Sequence, residues 1–305
     1  MSRLLLFVLL LSGACFSQAR EQQADLTQQI AVQSPSFTQG TGPRVGIDEA
    51  HFNFHTLAGR YAPFAALLRA DGYRVSAWRD TFTAEGLAGL DILVVANALH
   101  KSAAKNWAAP AQSAFSPAEV AALKKWVQSG GSLLLIADHQ PFPAAAAALA
   151  REFGFLFYNG YVLDPSLAKD QGLITFSIAD GTLHQHPVVS GAGERQSVAS
   201  VSLFTGQALL APDAAMPLLE LSRPHYLFLP GPDRKISNDT TRISVESWLQ
   251  GATLNVGKGR IAVFGEAAGF TAQNTRKGGK MGMNHPRASG NAQFVLNVMH
   301  WLQQR

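Results

Sequence analysis

The sequence predicts a three-layer α/β fold, a mostly parallel sheet covered by helices on both faces, with an antiparallel β elaboration late in the chain. Three observations carry this. From Arg44 onward, short strand patterns alternate with amphipathic helical ones. Several strands, "DILVVANAL" and "GGSLLLIADH" among them, are continuous apolar runs, as in strands buried on both faces. Between about 155 and 235 the helical signal gives way to short β runs such as "FLFYNGYVL", "LITFSIA" and "SVASVSLFTG".

At the N-terminus, Arg3 precedes the apolar run "LLLFVLLLSGA", too short to span a bilayer, and Ser17-Gln18-Ala19 fits a small-x-small cleavage site. Residues 1–19 therefore read as a secretory signal peptide. A lipid anchor at Cys15 is the alternative, against which Ser12 stands where a lipobox usually has Leu. No later run is long and apolar enough for a transmembrane helix, so the expected location is periplasmic or secreted. Cys15 is the only cysteine, and cleavage would leave no thiol in the mature chain. Residues 20–43, rich in Gln, Ser, Thr and Gly, read as a flexible leader, and the domain spans 44–305.

Within the domain, "RVGID" is a strand, and Leu57, Tyr61, Phe64, Leu67 and Leu68 follow at helical spacing. After "YRVSAW" and "DILVVANAL" comes the best-marked helix: Ser116 as N-cap, Pro117 at its first position and Glu119 completing a capping box. Val120, Leu123, Trp126 and Val127 form its core face, and Gly130 stops it. The strand "GGSLLLIADH" leads to a helix over about 143–153 ended by Gly154. The chain returns with "GRIAVFGEAAGF" and closes on the helix "NAQFVLNVMHWL", whose apolar stripe is Phe294, Val298, Trp301 and Leu302.

This order of elements, with "GGSLLLIADH" and the Asn-rich closing helix as its most specific pieces, resembles the class I glutamine-amidotransferase-like superfamily over roughly residues 44–302. It is most similar to a secreted branch related to auxiliary domains of gliding-motility ABC transporters. The resemblance implies a flavodoxin-like sheet and no activity. Relatives that hydrolyse glutamine carry a nucleophilic cysteine in the turn after the central strand. Here that turn reads Ala137-Asp138-His139-Gln140, so thiol chemistry is excluded.

Open parallel sheets bind ligands at the carboxyl ends of their strands, and here those ends are polar. The first contributes Asp48, Glu49, His51, Asn53 and His55; "DILVVANALHK" contributes Asn97, His100 and Lys101; the central strand contributes Asp138 and His139; the late strand contributes Glu266. The expectation is one pocket. Asp48 has a plainer reading as a turn cap. His51 and His55 lack the Glu of a zinc-protease motif, and His184 and His186 have a metal-compatible spacing on what reads as a loop. Asp138 is harder to dismiss, because the prolines at 141 and 143 place the next N-cap beyond it.

Two functional classes remain open. In the first, a hydrolase, Glu49 or Asp138 takes a proton from water, His139 or His51 returns it, and Glu266 assists. A divalent metal on Asp48, His51, Asp138 and His139 is the variant of that scheme, and the only cofactor the residues suggest. In the second, the domain is a non-catalytic ligand-binding or transporter-auxiliary scaffold. A small-molecule or glycan-like ligand suits either. A formal charge of +4, spread without basic runs, argues against nucleic acid.

Overall fold

The computed structural model describes residues 22–27, 32–165, 172–275 and 278–303. The signal-peptide reading and Cys15 lie outside the described residues.

Six strands make the frame: β1 (Arg44–Asp48), β2 (Arg74–Trp78), β3 (Ile92–Ala96), β4 (Ser132–Ile136), β5 (Leu249–Val256) and β6 (Gly259–Phe264). Five of them are parallel, in the order β2-β1-β3-β4-β6, and β5 runs antiparallel beside β6. With β6 as the fifth parallel strand, this is the flavodoxin-like order, whose switch point falls between β1 and β3. Short antiparallel strands at Leu209–Leu210 and Leu156–Phe157 extend the sheet, and Met216–Glu220 also pairs with β5. The expected β elaboration supplies these, a two-stranded antiparallel sheet, and two strands of a three-stranded one that Thr241–Ser244, beyond the expected bounds, completes.

The helices α1 (Ala62–Ala70), α2 (Pro117–Gln128), α3 (Phe142–Glu152) and α4 (Asn291–Gln303) sandwich the sheet. Alternation along each strand decides the layers. Val45, Ile47, Val94, Ile136 and Phe264 face α1 and α4 with Phe64, Phe294 and Val298. Leu93, Val95, Leu133, Leu135 and Val263 face α2 and α3 with Leu123, Val127 and Leu149. No helix among the described residues is long and apolar enough to cross a membrane.

The capping box of α2 forms as the sequence predicts: Ser116 Oγ accepts from the Glu119 N–H, and the Glu119 carboxylate accepts from the Ser116 N–H at 2.9 Å. Trp126 packs against the α2/α3 core, as expected, from its margin. It is half-buried, its indole lying across Gly131 so closely that a Cβ there would come within 2.2 Å of it. Gly131, next after the Gly130 stop, therefore serves this packing. Helix α3 begins at Phe142, with Pro141 as N-cap and no side-chain cap, so Asp138 does not cap it.

The stretch expected to be a flexible leader makes specific contacts where it is described. Gln23–Ala24 pairs with Ala272–Asn274, Asp25 is buried and receives Lys280 Nζ at 2.7 Å, and Phe37 packs edge-on to Tyr73 at 5.1 Å. These partners are remote in sequence, so local composition carries no sign of them.

Candidate functional site

Strand register sorts the polar strand ends into two groups. Ile136 pairs with Phe264, and Asp138 and Glu266 each lie two residues farther on, so both turn toward the α1/α4 face. Asp48 follows Ile47, which faces that same layer, and so turns the other way, toward α2. The single pocket expected from sequence is thus two clusters, one on each side of the sheet.

On the α2 side, Asp48 is fully buried and accepts from His51 Nδ1 at 2.9 Å, Asn53 Nδ2 at 3.0 Å and the Ala50 N–H at 3.1 Å. His51 Nε2 meets Glu119 Oε1 at 2.9 Å, and the imidazole lies between Phe82 and Phe115. Glu119 Oε2 accepts from Ser116 Oγ at 2.7 Å. Burial opposes a charge on His51, but Asp48 and Glu119 outweigh it and hold its pKa above the ordinary 6.5. For Glu119, burial is likewise outweighed, by the Ser116 donors and His51, and its pKa is lowered from 4.5.

These shifts set a pH window. The His51 contribution to stability is complete below its unfolded pKa near 6.5 and is lost as pH rises through the raised folded value. The Glu119 contribution is present above 4.5 and is lost as pH falls through its depressed folded value. Urea unfolding followed against pH should show both losses, and His51→Gln should abolish the alkaline one. An unchanged alkaline slope in that variant would locate the titration elsewhere.

With both ring nitrogens committed to carboxylates, His51 has no lone pair for a metal. Asp48 and His51 are also on the opposite sheet face from Asp138. The proposed quartet of Asp48, His51, Asp138 and His139 therefore does not fit a metal. Among the described residues no group of three or more His, Cys, Asp or Glu side chains is arranged to hold one. Glu49 is not a free base either, since its carboxylate accepts from the Leu57 N–H at 2.9 Å and Arg79 Nε at 3.1 Å.

On the α1/α4 side, Asn97 is the organising residue. In a left-handed conformation (φ 51°) it accepts from the Asp138 N–H at 2.8 Å and donates through Nδ2 to His55 Nδ1 at 3.2 Å. Such backbone is uncommon for a residue other than glycine, and Asn tolerates it best. The donation leaves the His55 proton on Nε2, which is buried with no hydrogen-bond partner. Burial, with Arg60 and His139 acting in the same direction, pushes His55 well below 6.5, so the ring is neutral.

His139 is its complement. Its Nδ1 donates to the Gln140 carbonyl at 2.9 Å, leaving a lone pair on Nε2, and its half-buried ring stacks on Tyr161 with centroids 4.6 Å apart. Burial lowers its pKa and Asp138 partly restores it. For Asp138, burial raises the pKa against the pull of His139 and backbone N–H groups. Glu266 is fully buried, accepts from the Ala268 and Gly269 N–H groups at 2.7 Å, and is pushed well above 4.5 by burial and by Asp138. The two carboxyls act on each other as neighbours, and burial favours the protonated form of Glu266. Tyr61, read from sequence only as an apolar helix position, donates to the Ala267 carbonyl beside them.

The remaining candidates stand apart. His100 bonds Ser102, Lys101 is exposed, and Asn53 serves the Asp48 cluster. His184 and His186 do not form a metal pair: His184 meets Glu220 at 2.7 Å, and His186 Nδ1 caps the short helix Pro187–Ser190. Two open clefts of about 390 and 430 Å³ lie at the opposite edge of the sheet, where both are lined by Arg74, and touch neither cluster. No local pattern marks Arg60, Glu119 as a histidine partner, or Arg234. Glu119 and Arg234 acquire these places from contacts distant along the chain, whereas Arg60 lies over Phe54 in the same local segment.

No protein-family model matches the chain, and no curated protein matches it in sequence. Its structure superposes on the N-terminal domain of mmIFT52 with a TM-score of 0.59 at 17% identity, covering 86% of this chain and 98% of that one. A ThuA-like protein from Bacteroides uniformis gives 0.44 at 14% identity, covering 90% and 94%. A GMP synthase-like protein from Thermoplasma acidophilum gives 0.42 at 12%, covering 85% and 95%. The superposition on the mmIFT52 domain, at 17% identity, speaks for shared fold and not for shared activity. The chain is a mixed α/β protein with a large, mostly parallel sheet, whose structural neighbours include ThuA-like and GMP synthase-like proteins at low identity.

Proposed function

We propose that the chain is a non-thiol hydrolase acting on a small polar ligand above the ends of β4 and β6, with His139 as general base. The observation that carries this reading is the state of the imidazole. Its Nδ1 is pinned by a carbonyl, its Nε2 keeps a lone pair, and Asp138 lies next to it to stabilise the imidazolium. A water giving its proton to Nε2 attacks the ligand, the bond to the leaving group breaks, and the proton passes from the imidazolium to that group. The His55 Nε2–H is a neutral donor for charge developing on the ligand oxygen. Its buried, unpartnered state is costly in a protein interior and is relieved by an acceptor on the ligand.

A second reading, a non-catalytic binding or transporter-auxiliary domain, is favoured by enclosure: Asp138 is 8% exposed and Glu266 0%. Turnover decides between them. Wild-type protein incubated with a panel of glycans, peptides and esters should release product from at least one class. Binding without turnover across the panel would leave the auxiliary reading. In this proposal residues 1–19 are a cleaved leader and the protein acts outside the cytoplasm, so the exported chain should begin at Arg20 on N-terminal sequencing.

A further inference from the structure

We infer that the protein has a second ligand site, remote from His139, where the cleft at the amino end of β2 takes a phosphate group between Arg69 and Arg74. The register of the sheet sets it up. Arg44 opens β1 and Arg74 opens β2, and the parallel ladder pairs the two residues directly. Side chains so paired share a face, where like charges oppose each other. Arg69, in the last turn of α1, folds back onto β2, its Nη2 donating to the Val75 carbonyl at 2.9 Å. All three arginines line one open cleft of about 430 Å³, with Gln39, Val75 and Ser76 among its other walls.

Three guanidinium groups around one cleft call for counter-charge, and the protein supplies it to Arg44. The Asp91 carboxylate lies 3.1 Å from Arg44 Nε and 3.4 Å from its Nη2. Arg69 and Arg74 hold backbone carbonyls instead, Arg74 Nε donating to Gly42 at 2.9 Å, and neither forms an ion pair among the described residues. A carbonyl fixes the direction of a guanidinium fork without cancelling its charge. Nε and Nη1 of Arg69 and both Nη groups of Arg74 remain to donate. Among the described residues, no acidic side chain lines this cleft.

Charge and geometry together select the ligand. A carboxylate offers two oxygens and is satisfied by one fork, whereas a phosphate offers enough acceptors for a fork from each of two sides. A phosphate monoester also carries about −1.5 to −2 charges near pH 7, close to the charge of Arg69 and Arg74 together. Both arginines are exposed, so the cleft admits a phosphate that is still attached to a larger body. A soluble phosphate and a phospholipid headgroup present the same group.

Calorimetric titration of the full chain with inorganic phosphate, against chloride at matched ionic strength, reads the site directly. Saturable binding is expected. Arg69→Ala and Arg74→Ala should each weaken it by about tenfold or more, the scale for losing a charge-assisted contact, and Arg79→Ala, just past the far end of β2, should not. Both arginines brace a carbonyl, so circular dichroism melts check each variant, and Arg69→Lys and Arg74→Lys, which keep the charge and lose the fork, replace any Ala variant that fails to fold. Sedimentation with phosphatidylcholine vesicles, with and without phosphatidylglycerol, separates the two sources. Retention on the anionic vesicles that is lost in the same variants assigns the headgroup, and binding of phosphate alone assigns a soluble ligand. No saturable phosphate binding together with no retention on vesicles overturns the inference. Equal binding in the arginine variants means an adventitious ion only and overturns it as well. His139→Ala should leave phosphate binding unchanged, and a loss there would put the anion at the other edge of the sheet and end the case for this cleft.

Discussion

Replacing His139 with Ala is expected to lower turnover of any substrate found by about a hundredfold or more, the usual scale for losing a general base, while leaving the fold intact. The ring is half-buried and bonds only a carbonyl through its side chain, so its removal strands little. Asp138→Asn should reproduce much of the loss by another route. Asn retains the oxygen that accepts the His139 N–H at 2.7 Å but cannot stabilise the imidazolium electrostatically. Both variants should reduce kcat more than they raise KM, because the charge they manage appears only in the transition state. Since burial lowers the pKa of His139 from 6.5, the wild-type rate should climb as pH rises through that depressed value and level off above it. Activity unaltered in His139→Ala would dispose of the proposed base. A rate falling across the same interval would mean that the protonated ring is the active form.

Asp48→Ala is expected to destabilise the protein by about 3–5 kcal/mol, the range for breaking a buried ion pair from one side. The fully buried carboxylate accepts from His51, Asn53 and a backbone N–H. Removing it strands those donors and leaves His51 facing only Glu119. Glu49→Ala, one residue along, offers the contrast. Its pair with Arg79, which is 74% exposed, contributes about 0–1 kcal/mol, and the Leu57 N–H it also receives adds about 1 kcal/mol, well short of the Asp48 cost. Equilibrium unfolding in urea separates the two. An Asp48→Ala cost below about 1 kcal/mol would mean that the cluster does not hold the end of β1.

Much of the architecture is legible because it is written locally. Continuous apolar strands of five residues, the Ser116–Glu119 box and the apolar stripe through Phe294 each announce their structure within a dozen residues. The placing of Asp138 and His139 is legible too, as titratable groups at the end of a buried strand. Trp126 shows where that reasoning stops: its helical position is right, but its burial depends on Gly131.

Strand and helix periodicities depend on near neighbours, so local pattern is enough to collect polar residues at the carboxyl ends of a parallel sheet. Which of those residues meet is settled at the tertiary level. Side chains alternate between faces along a strand, so grouping depends on how each strand registers with the next. That register sends Asp48 toward α2 and Asp138 with Glu266 toward α1 and α4. Arg234 reaches the same edge from a loop that no local pattern marks, because packing, rather than spacing, brings it over the ring of Trp107.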